Sequence, residues 1–346
     1  MTGRSDNRPT IVITGASSGI GQATAEAFAR LGARLVLAAR GAEALEQVAA
    51  HCRTLGGDAI AVPTDVTDAQ AVRRLADRAL AFGRTIDVWV SNVGIGAVGR
   101  FQDTPIESHE QVIRANLIGH LNDAHAVMPV FLRQRFGTFI NMISLGGFAA
   151  TPFATSYSAS KYGLRGFAEA LRAEVADQPD IHVCDVYPAF IDTPGIRHGA
   201  NYTGRKLSAP PPVYDARKVA AAIVDLARAP RDTTVVGSVA QFVRLGHFVA
   251  PGLSGRVMAR FIRSSLDRAE RVPISDGNLF APPRDAGGID GGLRSPKQRA
   301  LVGLAAVAGL ALAAVLLRSK PAYGRTGHAE RGPALPPPTP RLEHSR

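Results

Sequence analysis

The stretch that decides the fold is Ile11-Val12-Ile13-Thr14-Gly15-Ala16-Ser17-Ser18-Gly19-Ile20-Gly21. Its β-branched residues predict a buried strand, its glycines a tight turn, and residues 22–31 a helix that follows. Glycines in such a turn let the backbone approach a pyrophosphate, whose charge the first amides of the helix can meet. The stretch therefore predicts nucleotide binding at the start of an α/β domain.

Further apolar segments alternate with helical ones along the chain. The predicted strands are residues 34–39, 59–62, 88–91, 139–143, 182–187 and 234–236. Continuous apolar strands separated by helices are typical of a parallel sheet covered on both faces. We expect an α/β fold with a single Rossmann-type, doubly wound parallel sheet.

A second informative feature is the pair Tyr157 and Lys161, thirteen and seventeen positions after Ser144. A spacing of four places the phenol and the ammonium on one face of a helix. The cation favours the phenolate and should lower the pKa of Tyr157, and the Ser144 hydroxyl can polarise a carbonyl oxygen. Taken singly, each residue is equally typical of a solvated helix surface. Their combination with the glycine-rich turn favours hydride transfer with a tyrosine acid/base.

With these residues the chain resembles the short-chain dehydrogenase/reductase family, over residues 8 to about 240. The resemblance rests on separated motifs in order: Thr14 to Gly21, Asp65-Val66, Asn92-Val93-Gly94, Asn116, Ser144, Tyr157 with Lys161, and Pro188 through Thr193. It implies the strand order 3-2-1-4-5-6-7, with the site at the carboxyl ends of the strands.

The resemblance also implies a role for each matching residue. Tyr157 would be the general acid/base, Lys161 would hold the nicotinamide ribose, Ser144 would orient the substrate oxygen, and Asn116 would hold a water that links Lys161 to solvent. The remaining implied cofactor contacts are Gly15, Ser17, Ser18, Gly19, Ile20, Gly21, Asp65, Val66, Asn92, Gly94, Pro188 and Thr193. Asn116 alone is equally typical of a polar residue that kinks a helix.

Three positions depart from the family pattern. Val93 stands where Ala is usual, Ala189 where Gly is usual, and Ile143 where a second Ser is common. None of them removes a group of the implied tetrad. Val93 adds bulk near the cofactor and Ala189 loses backbone freedom, so they bear on cofactor affinity rather than on chemistry.

Cofactor choice depends on the end of the second strand. An acidic residue there binds the ribose diol of NAD, whereas an arginine accommodates the 2′-phosphate of NADP. Ala39 occupies the acidic position and Arg40 follows it. The sequence therefore favours NADP(H), with a surface arginine at a strand end as the alternative.

Apolar residues flank the tetrad in sequence and predict the substrate pocket. They are Leu145, Phe148, Phe153, Phe190 and Ile196, and residues 193–212 form a candidate lid. Each phenylalanine is also typical of an ordinary core. We expect a ketone, aldehyde or alcohol substrate with a lipophilic body.

Charge and cysteine content exclude several other classes. Of the net charge of +11, a share of +8 lies in residues 250–346, so residues 1–249 are nearly balanced. The sequence has no basic stripe interleaved with aromatic residues, so nothing in it indicates nucleic-acid binding. The two cysteines, Cys52 and Cys184, have no metal-ligand spacing, and we expect no metal and a reducing compartment.

Residues 300–317 form an uninterrupted apolar run of 18 residues between basic flanks. At ~1.5 Å per residue it spans about 27 Å, just short of a ~30 Å hydrocarbon core. We predict a single-pass membrane segment with the catalytic domain in the cytoplasm. A buried or intersubunit helix is the alternative. A re-entrant or surface-lying segment also stays open, because a single span would carry the six basic residues of 318–346 across the membrane, against the positive-inside rule.

The regions around that run complete the organisation. Residues 241–270 have helical apolar spacing interleaved with arginines, which predicts either a cap on the substrate pocket or a membrane-surface region. Composition predicts a linker over 271–299 and a disordered basic tail over 318–346. Residues 1–9 lack the apolar core of a signal peptide, which argues against export.

Three functional classes follow from these observations. The first is an NADP(H)-dependent oxidoreductase, the second a non-catalytic nucleotide-binding membrane scaffold or sensor, and the third a basic protein for acidic partners. A scaffold has no need of all four tetrad groups, and the charge distribution weakens the third class. An apolar stripe of Leu164, Phe167 and Leu171 predicts helix pairing in a homodimer or homotetramer.

Overall fold

Seven parallel strands form the central sheet of the computed structural model, which describes residues 8–283 and 287–294. The strands are β1 Thr10–Thr14, β2 Arg34–Ala39, β3 Asp58–Pro63, β4 Val88–Ser91, β5 Gly137–Met142, β6 Ile181–Pro188 and β7 Thr233–Val236. Their order is β3-β2-β1-β4-β5-β6-β7, and every pair is parallel. The predicted fold class and strand order are confirmed.

Helices connect the strands and cover both faces of the sheet. They are α1 Gly19–Ala29, α2 Ala42–Thr54, α3 Ala69–Gly83, α4 Ile106–Ile113, α5 Gly119–Gln134, α6 Thr155–Glu174, α7 Gly195–His198, α8 Ala216–Arg228, α9 Ser238–Val249 and α10 Pro251–Arg268. A π-helical turn, Arg114–Ile118, joins α4 to α5.

The side chains of β1 alternate between two cores, as a doubly wound sheet requires. Ile11 and Ile13 pack with α1, α2 and α8 on one face. Val12 packs on the other face with α3, α5 and the fully buried Trp89. Both faces are covered by helices and buried, which explains why β1 has no polar residue on either face of its centre.

A close backbone contact sets the turn after β1. A Cβ atom on Gly21 would overlap the carbonyl oxygen of Gly15, so only glycine fits where α1 leaves the turn. The Asn92 amide donates to the carbonyl oxygens of Thr14 (3.3 Å) and Gly15 (3.2 Å) and so ties the end of β4 to this turn.

One buried carboxyl group joins three elements beneath the turn. The hydroxyls of Thr14 and Ser91 donate to Asp123 of α5 over 2.8 and 2.7 Å. Burial raises the pKa of Asp123 to about 7, although the hydrogen bonds from Ser91 and Thr14 lower it in part.

The helical pair α9 and α10 follows the last strand. None of the 18 residues of α10 is buried, and Leu253, Val257 and Phe261 are exposed. Within residues 8–283 and 287–294, no helix combines the length and the apolar character needed to cross a membrane. The predicted membrane segment 300–317 and the basic tail 318–346 lie outside the described residues.

Residues 271–283 and 287–294 differ from the linker that composition predicts, because they pack on the α/β domain. Leu279 is fully buried, and Ile289 joins the core beside α1 and α8. Val272 and Ser275 donate backbone hydrogen bonds to residues 204 and 201. We call residues 276–283 and 287–294 the strap.

The apolar stripe on α6 also lies elsewhere than expected. Leu164 is fully buried beside Ile143 and Tyr187, and Phe167 packs against the same cluster. Leu171 packs against the core that contains Trp89. The stripe therefore packs on the sheet of its own chain and does not support the predicted helix pairing. The homodimer or homotetramer stays a prediction.

The Asp123 carboxyl predicts a pH-dependent stability. Its ordinary pKa of 3.8 applies in the unfolded chain, and its folded pKa is about 7, so folding favours the protonated form. The free energy of unfolding should fall as pH rises from about 4 to about 7 and level off above that. Urea denaturation between pH 5 and 8 gives the free energy of unfolding of the wild type and of Asp123→Asn. The difference between the two pH dependences is the contribution of Asp123. Identical pH slopes would show that Asp123 does not carry it.

Candidate active site

A cavity of about 700 Å³ lies where the strands of the sheet end. The residues after β1, β2, β3, β4, β5 and β6 all contribute to its wall. The predicted residues that line it are Gly15, Ser17, Ser18, Gly19, Ile20, Arg40, Asp65, Val66, Asn92, Gly94, Ser144, Tyr157, Lys161, Pro188 and Thr193. Gly21 and Asn116 lie behind this wall and support it.

Ser144 and Tyr157 meet at one end of the cavity. Ser144 follows β5. Its backbone angles, φ 134° and ψ 162°, lie in a region that residues other than glycine rarely adopt. Its hydroxyl oxygen accepts a hydrogen bond from Gly146 N–H at 3.2 Å. The nearby Tyr157 phenol is affected by this hydroxyl, which opposes part of the rise in the Tyr157 pKa. Two hydroxyls are thus held together against the cavity, one of them by a strained backbone.

Lys161 lies one helical turn after Tyr157 and is almost fully buried. Its ammonium donates to the carbonyl oxygen of Met142 over 3.0 Å and lies 5.7 Å from the centre of the Tyr157 ring. Burial lowers the pKa of Lys161 to about 7. Burial raises the pKa of Tyr157, with partial opposition from the Ser144 hydrogen bond. The expected lowering of the Tyr157 pKa is therefore not met, because desolvation of the buried phenol is the largest effect on it.

Asn116 occupies the π-helical turn between α4 and α5. Its Oδ1 accepts from Ile95 N–H at 2.8 Å, and its Nδ2 donates to the Ile95 carbonyl (2.9 Å) and to the Ser160 hydroxyl (3.2 Å). Such turns interrupt the regular ladder and occur frequently at functional sites. Asn116 links the loop after β4 to helix α6, which carries Tyr157 and Lys161.

Arg40 and Asp65 lie at the other end of the cavity. The Arg40 guanidinium donates to the carbonyl oxygens of Asn278 (2.5 Å), Leu279 (3.0 Å) and Ala281 (3.3 Å) of the strap. Burial lowers the pKa of Arg40, and the Asp65 carboxylate opposes this. Asp65 itself accepts from the backbone and hydroxyl of Thr67, which orders the loop after β3.

The predicted substrate residues divide into two groups. Leu145, Phe190 and Ile196 line the cavity. Phe148 is buried in the core instead, stacked on Tyr187 at 4.1 Å between ring centres. Phe153 lines a separate small cavity near Tyr202. Proximity to Tyr157 in sequence did not place these two side chains at the site.

Several wall residues were missed because they come from far along the chain. Helices α9 and α10 contribute Val243, Met258, Phe261 and Ile262, and the strap contributes Asn278, Pro282 and Pro283. The helical apolar spacing of 241–270 was the available signal for the first group. The strap residues carry no comparable pattern.

A buried polar chain behind the site was also missed. The His120 ring contacts Asn141 Oδ1 (2.7 Å) and the Val93 carbonyl (2.8 Å), and Asn141 donates to Asp185 (3.1 Å). Asp185 pairs with Arg172 at 3.0 Å. Burial, followed by the charge of Lys161, lowers the pKa of His120 to about 4. Through the contact of His120 with the Val93 carbonyl, this series of polar side chains fixes the backbone after β4.

The three departures from the family pattern fit their surroundings. Val93 packs between two apolar clusters, and Ile143 is buried beside Phe148. Ala189 does not adopt a positive φ, and its N–H donates to the Val236 carbonyl at 2.9 Å. The backbone freedom of a glycine is therefore not required at position 189.

The family model described as short chain dehydrogenase matches residues 9–200. The uncharacterized oxidoreductase YxnA of Bacillus subtilis (strain 168) is 32% identical over 315 residues, which cover 87% of this chain and 88% of that protein. Dehydrogenase/reductase SDR family member 7B of Bos taurus is 31% identical over 263 residues, covering 72% and 80%.

A solved structure gives the same result for the fold. It is the alcohol dehydrogenase of the archaeon Thermococcus sibiricus complexed with 5-hydroxy-NADP, with a TM-score of 0.59 and 26% identity, covering 68% of this chain and 98% of that one. The chain belongs to the short-chain dehydrogenase/reductase family of oxidoreductases, whose members bind a nicotinamide cofactor.

The backbone of Ser144 gives a test of stored strain. Ser144→Gly and Ser144→Ala both remove the hydroxyl, but only glycine adopts the positive φ at little cost. We expect the glycine variant to have the higher free energy of unfolding, by about 1 kcal/mol, in urea denaturation. Equal stabilities would contradict strain at this position.

Proposed function

We propose that this protein is an NADP(H)-dependent oxidoreductase that interconverts a ketone or aldehyde and an alcohol on a lipophilic small molecule. The observation that carries the proposal is the Ser144–Tyr157 hydroxyl pair at the cavity wall, with Lys161 buried beside it. The alternative of a non-catalytic nucleotide-binding scaffold leaves this arrangement, including the strained Ser144, without a use.

The residues of the cavity fit a dinucleotide. The glycine-rich turn and Asp65 would hold its adenosine and phosphate parts, Thr193 would contact the nicotinamide carboxamide, and Lys161 would hold the ribose beside Tyr157. When bound, the cofactor supplies or accepts the hydride. Burial keeps the phenol of Tyr157 protonated at neutral pH, which is the form that donates a proton to an oxygen developing negative charge. The Ser144 hydroxyl would orient that oxygen.

Arg40 and Ala39 support NADP(H) rather than NAD(H). The position that would carry a ribose-binding carboxylate is Ala39, and the Arg40 guanidinium lines the cavity directly after it. A guanidinium matches a phosphate in shape and charge. The solved relative from Thermococcus sibiricus is complexed with an NADP analogue, in agreement with this choice.

Replacement of the phenol is the direct test of the chemistry. Tyr157→Phe should lower the rate of NADPH-dependent reduction of lipophilic ketones by about 10²- to 10⁴-fold, because the proton donor is lost. Fluorescence titration should show that the variant still binds NADPH, and more tightly than NADH. Unchanged turnover in Tyr157→Phe would remove the proposed mechanism, and failure of the wild type to bind either nucleotide would remove the function.

Helices α9 and α10 support a lipophilic substrate and an association with membranes. Met258, Phe261 and Ile262 line the cavity, while Leu253 and Val257 are exposed on the same helix. Arg256, Arg260, Arg263 and Arg268 give this surface a positive charge that suits anionic lipid. We propose that the pair both caps the pocket and rests on the membrane surface, with residues 300–317 as the anchor, the catalytic domain in the cytoplasm, and a homodimer or homotetramer as the assembly.

The exposed residues of α10 make this testable. Leu253→Ser with Val257→Ser should raise the apparent KM at least 10-fold for a long-chain ketone presented in anionic vesicles, since each buried apolar side chain contributes about 1.5–3 kcal/mol to lipid contact. The KM for a short water-soluble ketone should not change. Leu132→Ser, at an exposed leucine of α5, is the matched control. An equal rise for both ketones would argue against a lipid-facing surface.

A further inference from the structure

The strap contacts the groups at which the proposed function would place the phosphates. Its first segment accepts three hydrogen bonds from Arg40, and Gln111 donates to the same Leu279 carbonyl over 3.1 Å. Leu279 is fully buried beneath this contact. Pro282 lies against Gly41, where an added Cβ would stand 3.4 Å from the proline Cβ.

Its second segment contacts the glycine-rich turn. Gly288 accepts a hydrogen bond from Gly19 N–H, the first amide of α1, over 2.8 Å. A Cβ on Gly287 would stand 2.6 Å from the Ser17 carbonyl, and one on Gly291 would overlap the Thr193 carbonyl. The strap therefore approaches the turn and Thr193 at backbone distance.

An ion-pair group around the buried Asp192 fastens this second segment. Asp192 accepts from Gly291 N–H (3.1 Å), Leu293 N–H (2.8 Å) and Arg294 Nε (2.9 Å). Arg294 also pairs with Asp215 (2.7 Å) and with Asp290 (2.6 Å). Asp192 is almost fully buried, so its charge-assisted bond with Arg294 is stronger than a surface pair, whereas the Asp290 side chain is partly exposed.

The partners of Arg40 differ in kind from those of Arg294. Arg294 forms its hydrogen bonds with carboxylates, whereas Arg40 donates to neutral carbonyl oxygens and has the Asp65 carboxylate only as a nearby charge; burial lowers the pKa of Arg40. A half-buried guanidinium with carbonyl partners has a strong preference for a phosphate dianion. Arg40 is thus placed to exchange the strap for a phosphate, while Arg294 keeps the strap on the domain.

We propose that the strap is a latch on the dinucleotide site, which must leave Arg40 and Gly19 before the cofactor can enter or be released. This inference rests on the proposed cofactor binding. A latch differs from simple packing because it changes the rates of binding and release together. The alignment with the Bacillus subtilis relative covers 87% of this chain. An alignment of that extent includes residues 276–294 whichever residue of this chain it starts from.

A reversible cross-link tests the latch in the full chain. The pair Gly41→Cys and Pro282→Cys has a Cβ separation near the ~3.5–4.5 Å of a disulfide. The native thiols do not compete, because burial raises the pKa of Cys52 to about 12 and of Cys184 to about 11. Stopped-flow fluorescence would follow NADPH association and its displacement by excess NADP⁺. Oxidation should slow both rates at least 10-fold, and dithiothreitol should restore them.

A second variant loosens the strap without touching the cavity. Arg294→Gln should raise both rates several-fold while the dissociation constant changes less than either rate. Arg74→Gln, which loses a surface pair of the same charge type with Asp68, is the matched control and should match the wild type. The latch would be overturned if the double-cysteine variant had equal NADPH association and release rates when oxidised and when reduced, and if Arg294→Gln had the rates of the wild type. Absence of NADPH binding in the wild type would instead overturn the proposed function.

Discussion

The structure depends on the close approach of Gly21 to the Gly15 carbonyl. That contact turns the chain from β1 into α1 within a few residues, so the first amides of the helix reach the edge of the sheet. Asn92 fastens the turn to β4, and the buried Asp123 holds the ends of β1 and β4 against α5. Because all seven strands are parallel, every chemical group that follows a strand lies at this same edge.

Much of the site could be predicted for that reason. Ser144 follows a strand and Pro188 ends one, and a parallel sheet brings such positions together whatever their separation in sequence. Tyr157 and Lys161 needed only helical periodicity. Asn116 had two sequence interpretations: it lies in a π-helical turn and links the loop after β4 to α6, while its implied role toward a water beside Lys161 stays a prediction.

The remainder depended on packing that no local pattern encodes. Phe148 and Leu145 are three residues apart, yet one stacks on Tyr187 in the core and the other lines the cavity. The pKa of Tyr157 depends on how deeply the phenol is buried, which the spacing to Lys161 does not give. In residues 271–299, glycine and aspartate predicted a linker. In the strap, Gly287 and Gly291 permit backbone contact and Asp290 pairs with Arg294, so the same composition serves docking.

The long separation between Arg40 and its strap partners has a consequence for biosynthesis. Arg40 is joined to residues 278, 279 and 281, so this end of the cavity contains residues that are far apart in the described chain. Domains fold from the N-terminus as translation proceeds. On the ribosome, the sheet can assemble once β7 has emerged, but this wall is completed only after residue 294. The nascent protein therefore passes through a stage with a formed sheet and an incomplete cavity wall.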